Sequence, residues 1–369
     1  MSKRRAGSES LPACYALVQP GLEAIAADEI GRELGGEVKR TAPGIVVFRV
    51  PEIDASLLEL RTTEDVFLLA WGTDQLTYRA EDLDRIRRWT AHDAKWEQLL
   101  RIHHAIRPKP KGKPTYHLVT QMQGVHGYRR VDAGKAFSRG LVGKFPESWR
   151  PASENAAVEF WLTIHSARAV CGLRLSDRTM RHRKYKSEHL PASLRPTVAA
   201  AMVRLADVGR RNVVLDPMCG AGTILAEVFG CFHGSEARNL RVLGGDREAA
   251  ALRAAAANLR RLGHAHLARW DARRLPLADR SVDRIISNPP FGKQLSRPEE
   301  IGPLYRYMLA DYDRVLRAGG RAVLLVGDFV PLRAAARKVD WTLTGQHRVR
   351  VLGQPAALTV WRKGDECKP

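Results

Sequence analysis

Apolar positions follow three successive rhythms along this chain. Between Cys14 and Val50, in CYALVQPGLEAIAADEIGRELGGEVKRTAPGIVVFRV, they predict a strand, a turn at Pro20-Gly21, a helix stopped by Gly35-Gly36, and a β-rich run from Ile45 to Val50. A second helix over 55–61 and a strand over 66–71 complete a small α+β pattern. The next rhythm holds the basic linker RPKPKGKPTYHLVT, a strand-like YHLVTQM, a helical DAGKAFSRGLVGKF and two further strands within 157–175. A polar, basic crossover, SDRTMRHRKYKSEHLP, leads to a third rhythm, in which helices alternate with short apolar strands from Pro196 onward. That alternation is the signature of a parallel sheet covered by helices on both faces. The expected division is a disordered tail at 1–10 and domains at 11–78, 79–185 and 186–369, with residues 191–369 able to fold alone.

Composition narrows the class. The 369 residues are 44% hydrophobic and 27% charged, as expected for a soluble protein of two or three domains. No apolar run reaches membrane-spanning length, and the charged start MSKRRAGSES is not followed by one, so neither a span nor a signal peptide is read. Cys14, Cys171, Cys219, Cys231 and Cys367 are scattered and form no C-x-x-C pair, which fits a reducing cytoplasm. Cys219, Cys231 and His233 lack a fourth partner at finger-like spacing, so core thiols are favoured over a metal site.

The net charge of +20 is unevenly placed. Residues 1–100 carry 13 Lys+Arg against 17 Asp+Glu, whereas residues 101–190 carry 18 against 6. A cationic stretch of that kind suits a phosphate backbone, because each neutralised phosphate releases counterions. The acidic first hundred residues argue against uniformly inflated basicity.

Candidate chemistry is concentrated in the third block. NVVLDPMCGAGTILAEVF reads as a buried strand ending in Asp216, a turn bearing Gly220 and Gly222, and a helix opening near Thr223. The spacing is not G-x-G-x-x-G, and an acid at the strand end suits a zwitterionic or cationic ligand better than a pyrophosphate. VLGGDREAAALRAAAANL ends a second strand in Asp246, suited to a ribose diol. ARWDARR supplies Asp271, which alone reads equally as a helix cap. One strand later comes IISNPPFGKQ, where two prolines hold Asn288 and its neighbouring carbonyls in one extended shape without supplying donors.

In this order Asp216-x-x-x-Gly220-x-Gly222, Asp246, Asp271 and Asn288-Pro289-Pro290-Phe291 resemble the Rossmann-like S-adenosylmethionine-dependent methyltransferases that act on exocyclic amines. DPMCGAGT, with LPASLRPTVAAAM upstream, is similar to the THUMP-containing RNA guanine-N2 methyltransferases, particularly the branch acting on the tRNA acceptor stem. VQPGLEAIAADEI and LRTTEDVFLL look like that family's N-terminal ferredoxin-like domain, and the basic block ending in LRLSDRTMRHRKYK looks like its THUMP domain.

The resemblance implies an α/β protein: ferredoxin-like and THUMP α+β domains followed by a Rossmann-like catalytic domain. It implies S-adenosyl-L-methionine as cofactor, no metal, and a cytoplasmic, monomeric tRNA methyltransferase acting at position 6 by family analogy. Asp216, Gly220, Gly222 and Thr223 would line the donor's methionine part, Asp246 and Arg247 its ribose, and Asp271 and Ala272 its adenine. Asn288, Arg195 and Thr197 would complete the donor site. Asn288 and the Pro289 carbonyl would accept the two amine hydrogens, Pro290 would stiffen the loop, and Phe291 would stack on the base. Lys109, Lys111, Lys113, Arg129, Arg130, Arg181, Arg183 and Lys184 are the candidate RNA-binding residues. Other readings remain: another RNA guanine or adenine amine, a release-factor glutamine, or an inactive RNA-binding protein. A nucleotide-dependent oxidoreductase is disfavoured by the glycine pattern.

Overall fold

The computed structural model describes residues 11–107, 112–191, 193–232, 240–290, 300–351 and 353–365. The chain forms two compact units. The first comprises Met1–Leu17, Ala27–Leu60 and Asp65–Met180; the second comprises Val18–Ala26, Arg61–Glu64 and Arg181–Pro369.

The first unit is built on β1 (Cys14–Val18), α1 (Glu23–Leu34), β2 (Glu37–Ala42), β3 (Ile45–Arg49), β4 (Thr63–Thr73), α2 (Glu81–Arg88) and α3 (Trp96–Ile106). It continues with β5 (Thr115–Gln123), α4 (Arg130–Gly140), β6 (Arg150–Pro151), β7 (Val158–His165) and β8 (Arg168–Arg174). All eight strands join one sheet, ordered β2-β3-β1-β4-β8-β7-β5-β6. Alternation puts Tyr15, Phe67 and Trp161 on one apolar face, the first two rings stacked at 4.5 Å. The helix expected over 55–61 is only a single 3-10 turn, Ala55–Glu59, capped by Asp54 and ended by the extended Leu60.

The second unit follows α5 (Thr179–His182) with α6 (Pro196–Ala206), β9 (Val213–Asp216), α7 (Thr223–Gly230), β10 (Arg241–Asp246), α8 (Ala249–Leu259) and β11 (Ala265–Arg269). β12 (Val282–Ser287), α9 (Ile301–Val315), β13 (Leu316–Val326), α10 (Phe329–Ala336), β14 (Thr342–Val351) and β15 (Gln354–Arg362) complete it. The sheet order is β11-β10-β9-β12-β13-β15-β14. The first five strands are parallel, and β15 runs antiparallel to both neighbours. Successive residues alternate between two cores, Val323 and Leu325 entering one, Ala322, Leu324 and Val326 the other. The sheet is therefore covered on both faces, as the alternating helix and strand rhythm requires. Among the described residues, no helix is long and apolar enough to cross a membrane.

The second unit is not contiguous in sequence: besides 181–369 it draws on 18–26 and 61–64, which the expected fragment 191–369 lacks. Leu22 and Ile25, at the start of α1, belong to its core with Val198 and Met202 of α6. Arg61 bonds Glu227 of α7 at 2.8 Å, and the Glu227 side chain has no solvent exposure. Arg183 and Tyr185 share that carboxylate at 3.2 and 2.6 Å. A cut at 191 removes all three partners together.

Candidate active site

The direction of strand succession reverses between β9 and β12, which lie side by side in parallel. In open α/β sheets the crevice beyond the strand ends at such a reversal is where ligands bind. Asp216 is the last residue of β9, Asp246 the last of β10, and Asn288 follows β12. The three polar positions singled out in the sequence thus stand at the carboxyl ends of three neighbouring strands.

Between β9 and α7 the chain makes a tight turn that only glycine enters without strain. Gly220 and Gly222 have φ of +51° and +74°. A Cβ on Gly222 would stand 3.0 Å from that of Ala255, whereas space beside Gly220 is open. The turn is braced from β10: Gly220 N–H donates to the Asp246 carboxylate at 2.9 Å, and Cys219 N–H to the Gly245 carbonyl at 2.9 Å. Asp246 also accepts from Glu248 N–H at 3.0 Å, so backbone donors orient both of its oxygens. Trp270 supports the same turn, its indole N–H bonding the Pro217 carbonyl at 3.0 Å.

Asp216 is 1% exposed and accepts from Met218 N–H at 3.2 Å. The Ser287 and Tyr312 hydroxyls lie near its carboxyl. Burial pushes Asp216 up to about 8, the nearby Asp246 acting in the same direction and the Met218 N–H bond opposing it. The folded chain therefore keeps this proton at pH values where the unfolded carboxyl, at its ordinary 3.8, has lost it. The site's contribution to stability is full below that value and is lost as pH rises toward about 8. Asp216→Asn accordingly raises the thermal midpoint, by an increment that grows between pH 5 and pH 8. Melting curves across that range check it, and an increment independent of pH overturns it.

Asn288 Oδ1 is buried and, among the described residues, has no hydrogen-bond partner. An orphaned acceptor in that position is costly unless it serves a ligand donor. Pro289 behind it is buried and Pro290 half-buried. Phe291 lies outside the described residues.

The remaining candidates are placed unevenly. Asp271 follows β11 and is held below its ordinary value chiefly by hydrogen bonding to Arg273, whose guanidinium reaches both carboxylate oxygens. Ala272 is buried in the second core, Thr223 is buried at the start of α7, and Arg247 is exposed beside Glu248. Arg195 caps α6 and bonds Glu64 and Gln19 at 2.8 and 3.2 Å, while the buried Thr197 hydroxyl has no partner among the described residues. Of the cationic candidates, Lys113, Arg129, Arg130 and Lys184 are exposed, and Arg181 is half-buried. Arg183 is a correction: its side chain is 10% exposed and bonds Glu227 and the Arg61 carbonyl, so it serves the fold. Lys109 and Lys111 lie outside the described residues.

Asp246, the glycine turn and the Asn288 oxygen, which has no partner among the described residues, suit a ligand with diol and amine groups, as S-adenosylmethionine has. A polar cleft of about 310 Å³ in the first unit is a weaker site, because Arg174 within it is committed to Asp65 and Glu159, and Arg107 to Asp177. Sequence reading missed Glu227 and Asn258. Each is a lone polar residue on an otherwise apolar helix face, and that isolation was the available signal.

Strand order, the acidic strand ends and Asn288-Pro289-Pro290 give the second unit an architecture like that of Rossmann-like methyltransferase domains. Residues 183–355 match the family model described as UPF0020, RMKL-like, methyltransferase domain. The chain is 32% identical over 222 residues to the bovine (Bos taurus) tRNA (guanine(6)-N(2))-methyltransferase THUMP3, covering 55% of this chain and 42% of that protein. The chain thus spans less than half the length of this curated relative. It is 29% identical over 318 residues to the tRNA (guanine(6)-N2)-methyltransferase of Thermus thermophilus, covering 84% of this chain and 88% of that one. The crystal structure of TrmN from Thermus thermophilus superimposes with a TM-score of 0.75 at 25% identity, covering 95% of this chain and 99% of that one.

Proposed function

We propose that the protein uses S-adenosylmethionine to methylate the exocyclic N2 amine of a guanosine in structured RNA, with the tRNA acceptor stem as its target. The observation that carries this reading is the buried Asn288 Oδ1, without a partner among the described residues, following β12 beside the acidic ends of β9 and β10. The relatives' named activities support the choice of guanine N2 and tRNA.

The chemistry follows from the amine. Its lone pair is delocalised into the ring, which makes it a poor nucleophile. Asn288 Oδ1 and the Pro289 carbonyl accept its two hydrogens, favour the pyramidal nitrogen and aim the lone pair. The bound donor supplies an electrophilic methyl on a sulfonium sulfur. Asp216, Asp246 and Asp271 hold and orient the donor, with Gly220, Gly222, Thr223, Arg247, Ala272, Arg195 and Thr197 around them. The proton leaves after transfer, so no strong base is assigned.

Residues 11–78 are read as a ferredoxin-like domain and 79–185 as a THUMP domain, the strand order β2-β3-β1-β4 supporting the first assignment. The buried, free Cys14, Cys171 and Cys219 support the reading of a cytoplasmic protein, taken here as a monomer. Lys113, Arg129 and Arg130 are the exposed cations assigned to the RNA backbone. Replacing all three by glutamine is expected to weaken tRNA binding and flatten its salt dependence by roughly 0.7 to 0.9 log units for each phosphate no longer neutralised. Affinity measured against salt concentration checks this; an unchanged slope removes these residues from the RNA surface. For the activity itself, purified protein is incubated with labelled donor and total tRNA, followed by nucleoside analysis. N2-methylguanosine is the expected product. Label in another nucleoside, or none in a preparation that binds donor, overturns the assignment.

A further inference from the structure

Asn258 sits in the last turn of α8, in the run AAALRAAAANL, and is 2% exposed. Its side-chain amide uses its whole hydrogen-bonding capacity. Oδ1 accepts from Glu188 N–H at 2.9 Å and from the Ser187 hydroxyl at 3.3 Å. Nδ2 donates to the Glu188 carbonyl at 3.0 Å and to the Ala221 carbonyl at 2.9 Å. One side chain therefore joins two backbone segments far apart in sequence. Ala221 lies between the two left-handed glycines of the turn after β9, and Ser187-Glu188 belongs to the segment that follows α5.

No other side chain of similar size can do this. Leucine offers no polar atom, and aspartate would set a carboxylate against the Glu188 and Ala221 carbonyls. Ala221 is itself 4% exposed, so losing the Asn258 donor strands a buried carbonyl. The turn is thus fixed from two sides. Asp246 holds Gly220 N–H on one side, and Asn258 holds the Ala221 carbonyl on the other. Ala255, one turn earlier on α8, packs beneath Gly222.

We propose that Asn258 is a positioning residue that sets the shape of the donor turn and couples it to the Ser187-Glu188 segment, so that a ligand ordering the turn also orders that segment. By linkage, anything that holds the segment raises ligand affinity by the same factor. The inference rests on the turn being the donor site.

Glu188 N–H reports the coupling directly, because its acceptor is Asn258. Hydrogen exchange of the full-length wild-type protein is followed with and without S-adenosylhomocysteine, and binding is measured by calorimetry for wild type, Asn258→Ala and Asn258→Asp. In wild type the ligand is expected to slow exchange at Gly220 to Thr223 and at Glu188 together. Both variants are expected to bind about tenfold more weakly, the loss attached to one or two buried hydrogen bonds. At saturating ligand both are expected to keep protection at the turn, while Asn258→Ala loses it at Glu188 and Asn258→Asp, which retains an acceptor for that N–H, loses less. Two results overturn the proposal: a wild-type turn protected by ligand with Glu188 unaffected, or variants matching wild type in both affinity and Glu188 protection. The first needs no variant, so a failure of Asn258→Ala to fold does not rescue the idea. Wild type that binds no S-adenosylhomocysteine at all overturns the donor-site reading instead, and the proposal with it.

Discussion

Asn288→Ala lowers the single-turnover methylation rate roughly 10²-fold or more, the cost attached to removing one preorganised hydrogen bond where charge develops. Donor affinity stays near wild type, because the residue's assigned partner is the target amine. Stability should also hold, since Asn288 Oδ1 has no partner among the described residues whose loss would strand another group. Asn288→Asp retains an acceptor oxygen and is expected to keep more activity than the alanine variant. Rapid-quench assays with saturating donor and tRNA decide the matter. A wild-type rate in Asn288→Ala would mean that this oxygen does not orient the amine.

The second large effect is on folding. Residues 191–369 expressed alone are expected to lack a cooperative unfolding transition and to bind no donor, whereas the full chain does both. Such a fragment keeps Glu227, whose side chain is wholly buried, without Arg61, Arg183 or Tyr185. It also lacks Leu22 and Ile25 from the core beneath α6. A buried ion left without its partners costs on the order of 3–5 kcal/mol, a large share of a domain's stability. Glu227→Ala in the full chain tests the charge contribution separately. It should destabilise by about that amount, because two largely buried guanidiniums then lose the carboxylate they share. Urea unfolding followed by circular dichroism reads both experiments. A fragment that melts cooperatively and binds S-adenosylhomocysteine would show that the discontinuous segments are dispensable.

The second unit was largely legible from sequence, and the physics explains which parts were not. Short apolar strands separated by helices identify a parallel sheet, and glycines after a strand-ending acid mark a turn where backbone approaches a ligand. Those signals are local, so Asp216, Gly220, Gly222 and Asp246 fall where they were expected. The Glu227 cluster joins residues 44 and 166 positions apart, and no local pattern encodes such a pairing. Arg183 misled for a related reason. In a run such as RHRKYK, charge alone does not reveal which cation turns inward. Asp271 was located correctly, yet Arg273 two residues later was not foreseen as its partner. The helix expected over 55–61 shortened to one turn because Leu60 leaves helical geometry with ψ of 129°.

A unit assembled from distant segments also has a history in time. Arg61 leaves the ribosome 166 residues ahead of Glu227. At typical rates of about 5–20 residues per second that interval lasts roughly ten to thirty seconds. Throughout it Arg61 has been made while Glu227 has not, and for most of it Leu22 and Ile25 wait for Val198 and Met202. Slowing translation lengthens this exposure, and slowing it between codons 61 and 227 lengthens it most directly. The yield of soluble enzyme should therefore depend on codon usage in that interval more than on codon usage after β15.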